Sequence, residues 1–492
     1  MKKNLLFLLF LSVLSFAQVK TVSLNPSFIN NGVLTLNTKD EDKGAWTRIT
    51  SDNKILFMYP DDVNANDKIL TRRLANGTID TSFGNNGYIY TKDLFIKHNE
   101  VVILYDKAEN IYLATTIIDS SNSNTFYLKV VKFSSNGIKD NSFGNNGEFT
   151  LNNIDIENDD TIYVKTASLE NGNLLFGIYD YNNNTGTNSI ICLNSNGSIV
   201  TNFGNNGILS TGKWISNFIT TNNGLYIVSE DHSNDYSYWT FYIEKFDETG
   251  IKDNNFNTIS STSKDISCHL KSDNSGNLIT LINYYPTSNN LYSSVKKYDP
   301  LSGNIISTFG TNGSIELNEV ALIDLTTDTD NNLILAGGKH LGNDVFNPYL
   351  TKYTSNGVLD TNFNQTGFYE ELSNSLGYID NVRLLNNDII ISGVTDDYYK
   401  VFLADYLLTD NLSVKENTKE NISIFPNPVQ DVLYIKTSEK VLDAKIYDEQ
   451  GRLIKFFSNA TNSLPVNNLQ KGVYFIDIKT SKNNKKIKFI KQ

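Results

Sequence analysis

An all-β fold is predicted by three features of this 492-residue chain: a short pattern that returns seven times, four β-rich runs in each interval, and a compositionally separate tail. The pattern is clearest at 74–87, Leu-Ala-Asn-Gly-Thr-Ile-Asp-Thr-Ser-Phe-Gly-Asn-Asn-Gly. Aligned on its phenylalanine it recurs at Phe28, Phe83, Phe143, Phe203, Phe256, Phe309 and Phe363, at intervals of 55, 60, 60, 53, 53 and 54 residues. A period in the fifties built from strands points to a β-propeller with one blade per repeat. After Phe83, the runs 88–91, 100–104, 111–117 and 126–133 are short, β-branched or aromatic, and separated by polar turns. They are read as the four strands of one blade. Several runs are apolar throughout, as strands packed on both faces are. The expected architecture is a seven-bladed β-propeller followed by a small immunoglobulin-like β-sandwich.

Each residue type in the pattern suits a tight connection between strands. Asn-Gly at 76–77, 136–137, 196–197 and 356–357 supplies a positive φ where the chain reverses, with Gly250 and Gly303 at the matching place. Asp80, Asp140, Asp253 and Asp360, three before the phenylalanine, can fold a carboxylate onto following backbone N–H groups. The phenylalanine has the bulk to plug the gap between neighbouring units. Val200, Ile306 and Asn25 take the aspartate's place in other copies, which argues for turn chemistry and against an obligatory metal ligand.

The chain opens with a copy of the pattern and a short strand, 24–36, that no blade precedes, and its last unit ends at 401–407 with no pattern after it. The N-terminal strand is therefore expected to complete the seventh blade and remove an exposed edge. Together with a later D-x-x-x-N hairpin (Asp106 to Asn110, Asp273 to Asn277, Asp328 to Asn332), the pattern resembles the delta-60 repeat family of bacterial β-propellers over about 24–407. That resemblance implies a propeller and no common activity.

Connections along a blade alternate between the two ends of the ring. One end carries the repeated pattern and the hairpins. The other carries irregular loops at 37–44, 60–67, 152–160, 179–188, 231–238, 284–290, 338–347 and 395–399, rich in Asp, Glu, Asn and Tyr. Variable loops on a rigid scaffold are where binding usually sits, so Tyr181, His232, Tyr236, Tyr238, Tyr284, Tyr285, His340, Tyr398 and Tyr399 form the candidate ligand face. The acidic run 152–160 lacks EF-hand spacing, which leaves Ca²⁺ as the one cofactor to consider and none required.

Residues 1–17 read as a secretory signal: Met-Lys-Lys, an apolar run over 5–16, and cleavage after Ala17 to leave Gln18 first. No later run of about 18 apolar residues exists, so an integral membrane protein is not expected. The net charge of −12 argues against a nucleic-acid partner, which would need a basic face. Cys192 and Cys268 fall in different units and are expected as buried free thiols.

A polar stretch at 408–420 breaks the repeat and reads as a linker. Alternating runs over 421–492, with turns at Gly451 and Gly472, suggest a small β-sandwich. The opening with Pro426, Asn427 and Pro428, the Tyr-Asp-x-x-Gly-Arg hairpin at Gly451, the strand with Gly472 and Tyr474, and the lysine-rich end at Lys488 resemble the C-terminal type A sorting domain of the Bacteroidetes type IX secretion system. That resemblance implies recognition by the secretion machinery at the outer membrane, removal of the tail by its C-terminal signal peptidase, and release or attachment at the cell surface.

No G-x-S-x-G elbow, H-E-x-x-H pair or phosphate-cradling loop occurs. His98 and His269 are expected to pack or face solvent, whereas His232 and His340 fall in the irregular loops and could converge. The reading is a secreted or cell-surface protein that binds an extracellular polysaccharide or protein without chemistry of its own. The alternatives are a polysaccharide hydrolase or lyase using loop carboxylates, or His232 and His340, and a surface-layer spacer.

Overall fold

The computed structural model describes residues 19–38, 44–63, 67–95, 98, 100–118, 125–155, 162–180, 188–233, 237–287, 290–342, 345–370, 376–395, 399–411, 422–437, 440–458, 461–481 and 484–492. The expected signal segment with Ala17 and Gln18, and Tyr181, Tyr236 and Tyr398, lie outside the described residues. The chain divides into two compact units, Met1–Asn411 and Leu412–Gln492.

Among the described residues the first unit is a succession of seven antiparallel sheets, the first six each taken in chain order from an inner to an outer strand and the seventh ending on strands from the N-terminus. The inner strands are Trp46–Ile49, Val102–Tyr105, Ile162–Ser168, Trp214–Thr221, Ile266–Ser272, Val320–Thr327 and Leu376–Leu385. This is an all-β, propeller-like arrangement of small sheets. Apolar clusters join each sheet to the next, and the succession closes because Ile55, Phe57 and Tyr59 of sheet one pack with Ile390, Val394 and Leu403 of sheet seven. The second strand of sheet one, Ile55–Pro60, is buried at every position, since a sheet lies against each face.

The pattern is the turn between third and outer strands, so the strand after it pairs back on the strand before it. Tyr88–Tyr90 accordingly pairs with Lys68–Arg73 in sheet one, not with the runs that follow. The expected grouping of 88–91 with 100–133 is therefore shifted by one strand. The same phase leaves the last sheet without an outer strand. Val33–Asn37 supplies it by pairing with 400–404, and Val19–Leu24 pairs with 406–411. The strand Lys400–Asn411 thus runs through the first residues of the expected linker.

Each copy of the pattern also holds the following unit. Phe83 is fully buried, and a Cβ on Gly137 of the next copy would come 2.9 Å from its ring. The glycine of Asn-Gly is required by that contact as well as by its φ of +75°. Next to this contact the Gly84 N–H donates to Asn136 O at 2.9 Å, and Gly144 to Asn196 O and Gly310 to Asn356 O do so at 2.8 Å.

The aspartate of the pattern has a partner that sequence reading missed. Arg72 Nε lies 2.7 Å from Asp80 Oδ2, Lys132 Nζ 2.9 Å from Asp140 and Lys245 Nζ 3.0 Å from Asp253. Arg72 and Lys132 also donate to the next unit, to Ser135 O and Ser195 O. The serine hydroxyl and backbone bonds at Ser142, with Lys132, hold Asp140 down at about 2. The backbone bond that defines this position (Asp80 N–H to Arg72 O) runs from Val200 to Cys192 O in sheet three and from Asn25 to Asp405 O in sheet seven. In these two copies the base is lost with the aspartate, leaving a neutral Cys192–Val200 pair in one and Asp405 bonded to Asn25 Nδ2 at 2.9 Å in the other; beside Ile306 the base Lys297 is kept and pairs with Asp273 Oδ2 at 2.8 Å instead. Both cysteines are free and buried, and burial pushes the Cys192 thiol up to about 12.

In the second unit a three-stranded sheet (Ser423–Phe425, Val432–Lys436, Ser463–Pro465) and a four-stranded sheet (Leu453–Ser458, Val441–Asp448, Gly472–Thr480, Asn484–Lys491) share a core of Leu433, Ile435, Ile446, Ile476 and Phe489. Asn427 pins the final strand, donating from Nδ2 to Lys488 O at 3.1 Å and accepting from Ile490 N–H at 2.9 Å. Pro426 and Pro428 flank it, each after a cis peptide bond. Asp448 caps the hairpin at Gly451, accepting from the backbone N–H of Gln450 and of Arg452. Tyr474 stacks on Phe489 and donates to Gln470 O at 3.0 Å. Gly472 begins a strand instead of making a turn; the reversal comes just before it.

Candidate functional site

The inner strands run from the end bearing the irregular loops towards the end bearing the hairpins. Their C-terminal halves, one from each of the seven sheets, enclose an axial cavity of about 630 Å³. Tyr105 forms part of its wall, with Trp46 stacked on it at 5.3 Å and the Arg48 guanidinium over its ring at 4.6 Å. Thr166 and Thr220 continue the same wall and tie sheets together, donating to Ile103 O and Ser168 O.

Charge in the cavity has one sign. Among the described residues its charged lining side chains are Arg48, Lys271 and Arg383, in a protein whose net charge is −12. Lys271 and Arg383 are anchored from behind by Asp324, which is 1 % exposed. A bulge between Leu322 and Asp324 re-aims that carboxylate towards the neighbouring sheet. Its Oδ1 lies 2.6 Å from Lys271 Nζ, and its Oδ2 accepts from Val382 N–H at 3.1 Å and from Arg383 Nη1. Burial alone would raise this carboxyl, but the Arg383 and Lys271 charges outweigh it and hold it at about 2.

Further towards the loop end lies a second group of charges. Burial, with Lys271 adding to it, lowers His269 to about 4. Burial raises Asp380 to about 7, opposed by a hydrogen bond from Ala45 N–H at 2.9 Å and assisted by the negative charge of Asp324. Lys68 Nζ meets Glu100 Oε1 at 3.2 Å. His269 was expected to pack or face solvent; it stands two residues before Lys271 on the same inner strand.

The residues singled out from sequence sit elsewhere. His232 packs among Trp214 and Trp239, at 5.0 and 5.4 Å, with Nδ1 2.9 Å from Ser233 O. His340 lies against Phe346 at 5.0 Å, two sheets away, so each histidine has its own aromatic setting. Tyr284 is buried, stacked on Tyr292 at 4.6 Å, and Tyr285 is half-buried. Tyr238 and Tyr399 are exposed. None of these lines the axial cavity. Among the described residues no group of three or more His, Cys, Asp or Glu side chains is placed to hold a metal ion. The cavity residues carry a signal in the sequence: Arg48, Lys271 and Arg383 each stand two residues before the end of the inner strand's approach to its hairpin, at Thr50, Asp273 and Leu385.

A family model described as a secretion system C-terminal sorting domain matches residues 423–492. No helix among the described residues is long and apolar enough to cross a membrane. No curated protein sequence matches the chain. Among solved structures the chain is similar to PorZ, described as an essential bacterial surface component of the type-IX secretion system of Porphyromonas gingivalis, at 11% identity over 89% of this chain and 68% of that one, with a TM-score of 0.26. It is similar to prolyl oligopeptidase B from Galerina marginata at 9% identity over 92% of this chain and 56% of that one, TM-score 0.40. It is also similar to the polysaccharide lyase Uly1 at 10% identity over 74% and 89%, TM-score 0.37. Identities this low attach none of those proteins' activities to this chain. The sorting domain implies export through the type IX secretion system to the cell surface or the medium.

Proposed function

We propose that residues 18–411 form a seven-bladed β-propeller of delta-60-like repeats, latched by its N-terminal strand, that serves as a non-catalytic binding module for an extracellular polysaccharide or protein. A signal segment at 1–17 takes the chain across the inner membrane. The immunoglobulin-like tail is read by the type IX machinery and removed by its C-terminal signal peptidase, leaving the propeller released or attached at the surface of a Bacteroidetes cell. The observation that carries the binding reading is the axial cavity bounded by every inner strand. A rigid, concave, aromatic-walled site fits recognition, and its volume lies within the roughly 300–1,000 Å³ usual for ligand sites.

The hydrolase or lyase alternative draws on Asp380 and Asp324, two carboxyls pushed apart to about 7 and about 2 on adjacent inner strands. Asp324, however, is enclosed and already holds two cations, so it has a structural duty. One assay separates the readings. The purified full chain is incubated with a panel of microbial and algal polysaccharides, with and without a chelator, and retained and soluble material are analysed by mass. Intact polymer on the protein supports the binding module, and its loss on chelation assigns Ca²⁺ a part. Newly shortened oligosaccharides that vanish in Asp380→Asn make the protein an enzyme.

A further inference from the structure

The axial cavity is polarised across its diameter, and that polarity specifies a ligand. Lys271, Arg383 and Arg48 come from sheets five, seven and one, with Asp324 of sheet six bridging the first two, so they form a crescent along one consecutive arc. The facing arc, sheets two to four, presents Tyr105, Thr166, Ser168 and Thr220 and no charge. Asp324 offsets one of the three positive charges from a position closed to solvent, which leaves the accessible wall cationic. Arg48 differs from the other two. It has no carboxylate partner among the described residues, and its guanidinium carbon lies over the Tyr105 ring, 4.6 Å from the centroid. A cation–π contact of this kind holds the guanidinium over the ring while leaving N–H donors available to an incoming oxyanion.

From this polarity we infer that the cavity, taken as the site of the binding reading above, accepts an acidic sugar unit. Its carboxylate or sulfate meets Arg48 and Arg383, and its ring and hydroxyls lie against the Tyr105 and threonine side. A neutral sugar would leave the Arg48 donors without a counter-charge, which disfavours it. Nucleic acid is a poor candidate, since the cation crescent is confined to a cavity in an otherwise acidic chain.

The test is calorimetric titration of the purified full chain with oligomers of a uronic acid, with sulfated neutral oligomers and with unsulfated neutral oligomers, repeated at raised salt and with Arg48→Gln and Arg48→Lys. Binding of an acidic oligomer should weaken by about tenfold in Arg48→Gln, recover in part in Arg48→Lys, and fall with salt, while the melting temperature stays unchanged. Whether the uronate or the sulfated arm binds tells which anion is read. Equal binding of neutral and acidic oligomers overturns the acidic-sugar assignment while leaving the binding module standing. Acidic binding that Arg48→Gln leaves untouched removes the ligand from this cavity. No binding in any arm overturns the acidic-sugar assignment, and only retention of another polymer or protein would then keep the binding module.

Discussion

Asn283 of sheet five grips Leu322 of sheet six by both backbone groups, donating from Nδ2 to its carbonyl at 2.8 Å and accepting its N–H on Oδ1 at 2.9 Å. Asn283 is fully buried, so one side-chain amide replaces a ladder pair at the bulge that aims Asp324. Replacement by Leu strands the Leu322 carbonyl without water and leaves its N–H only the longer bond to Ser293 Oγ, at 3.3 Å. The expected loss is about 2–4 kcal/mol, read as a lowered denaturant midpoint, because each orphaned buried polar group costs about 1–3 kcal/mol.

Stability should depend on pH in two opposed windows. The folded-state pKa of Asp380 is raised to about 7 and that of Asp405 to about 6, so their contribution is fully present below the ordinary carboxyl value and is lost as pH rises through those values. Asp324 and Asp140, held at about 2, behave oppositely and lose their contribution as pH falls below about 4. The melting temperature should therefore rise from pH 8 to pH 5 and fall below pH 4. Asp380→Asn, which keeps an acceptor for Ala45 N–H, should raise the value at pH 8 and flatten the upper limb. An unchanged upper limb would remove Asp380 as its source.

The neutral Cys192–Val200 pair makes a quantitative exchange possible. Cys192→Lys alone places a charge beside Val200 with no partner and should cost about 3–5 kcal/mol. Adding Val200→Asp rebuilds the Lys132–Asp140 arrangement of the previous unit and should recover at least half of that loss. Chemical denaturation of the two single variants and the double variant gives the coupling directly.

In the tail, Asn427→Ala removes both bonds to the final strand. A loss of about 1–3 kcal/mol is expected, with amide hydrogen exchange accelerating at Val429, Ile490 and Gln492, whose bonds Asn427 frames. Exchange confined to Asn427 itself would show that the flanking prolines suffice.

Gly393 sits where any Cβ would overlap the Tyr378 carbonyl of the bulged inner strand. Gly393→Ala should destabilise by about 1–3 kcal/mol through forced backbone displacement, measured as a drop in melting temperature.

What was legible in the sequence was local chemistry. Asn-Gly, the folded-back aspartate and the D-x-x-x-N hairpin are decided within a few residues, and Asp106 does accept from Ala108 and Asn110 N–H as a hairpin aspartate should. The Phe83–Gly137 and Arg72–Ser135 contacts join residues one repeat apart, so their meaning depended on how units stack. Tyr88–Tyr90 looked like the start of a unit because sequence periodicity carries no information about which sheet a strand joins. Arg48, Lys271 and Arg383 were passed over because each lies in a different strand, far apart in sequence, until the sheets close around an axis. His232, by contrast, drew notice as a loop histidine and proved to be packed in one cluster with two tryptophans that also touch each other.

Synthesis order gives the N-terminal outer strand a further consequence. Residues 33–37 emerge early, but their partner at 400–404 emerges only after the rest of the seven sheets, so the earliest strand must travel with its edge unpaired. Sheet one can form in the meantime, yet closure has to wait for the last segment before the tail. A nascent chain built this way stays an open succession of sheets until residues 400–404 arrive, and becomes a closed body only then.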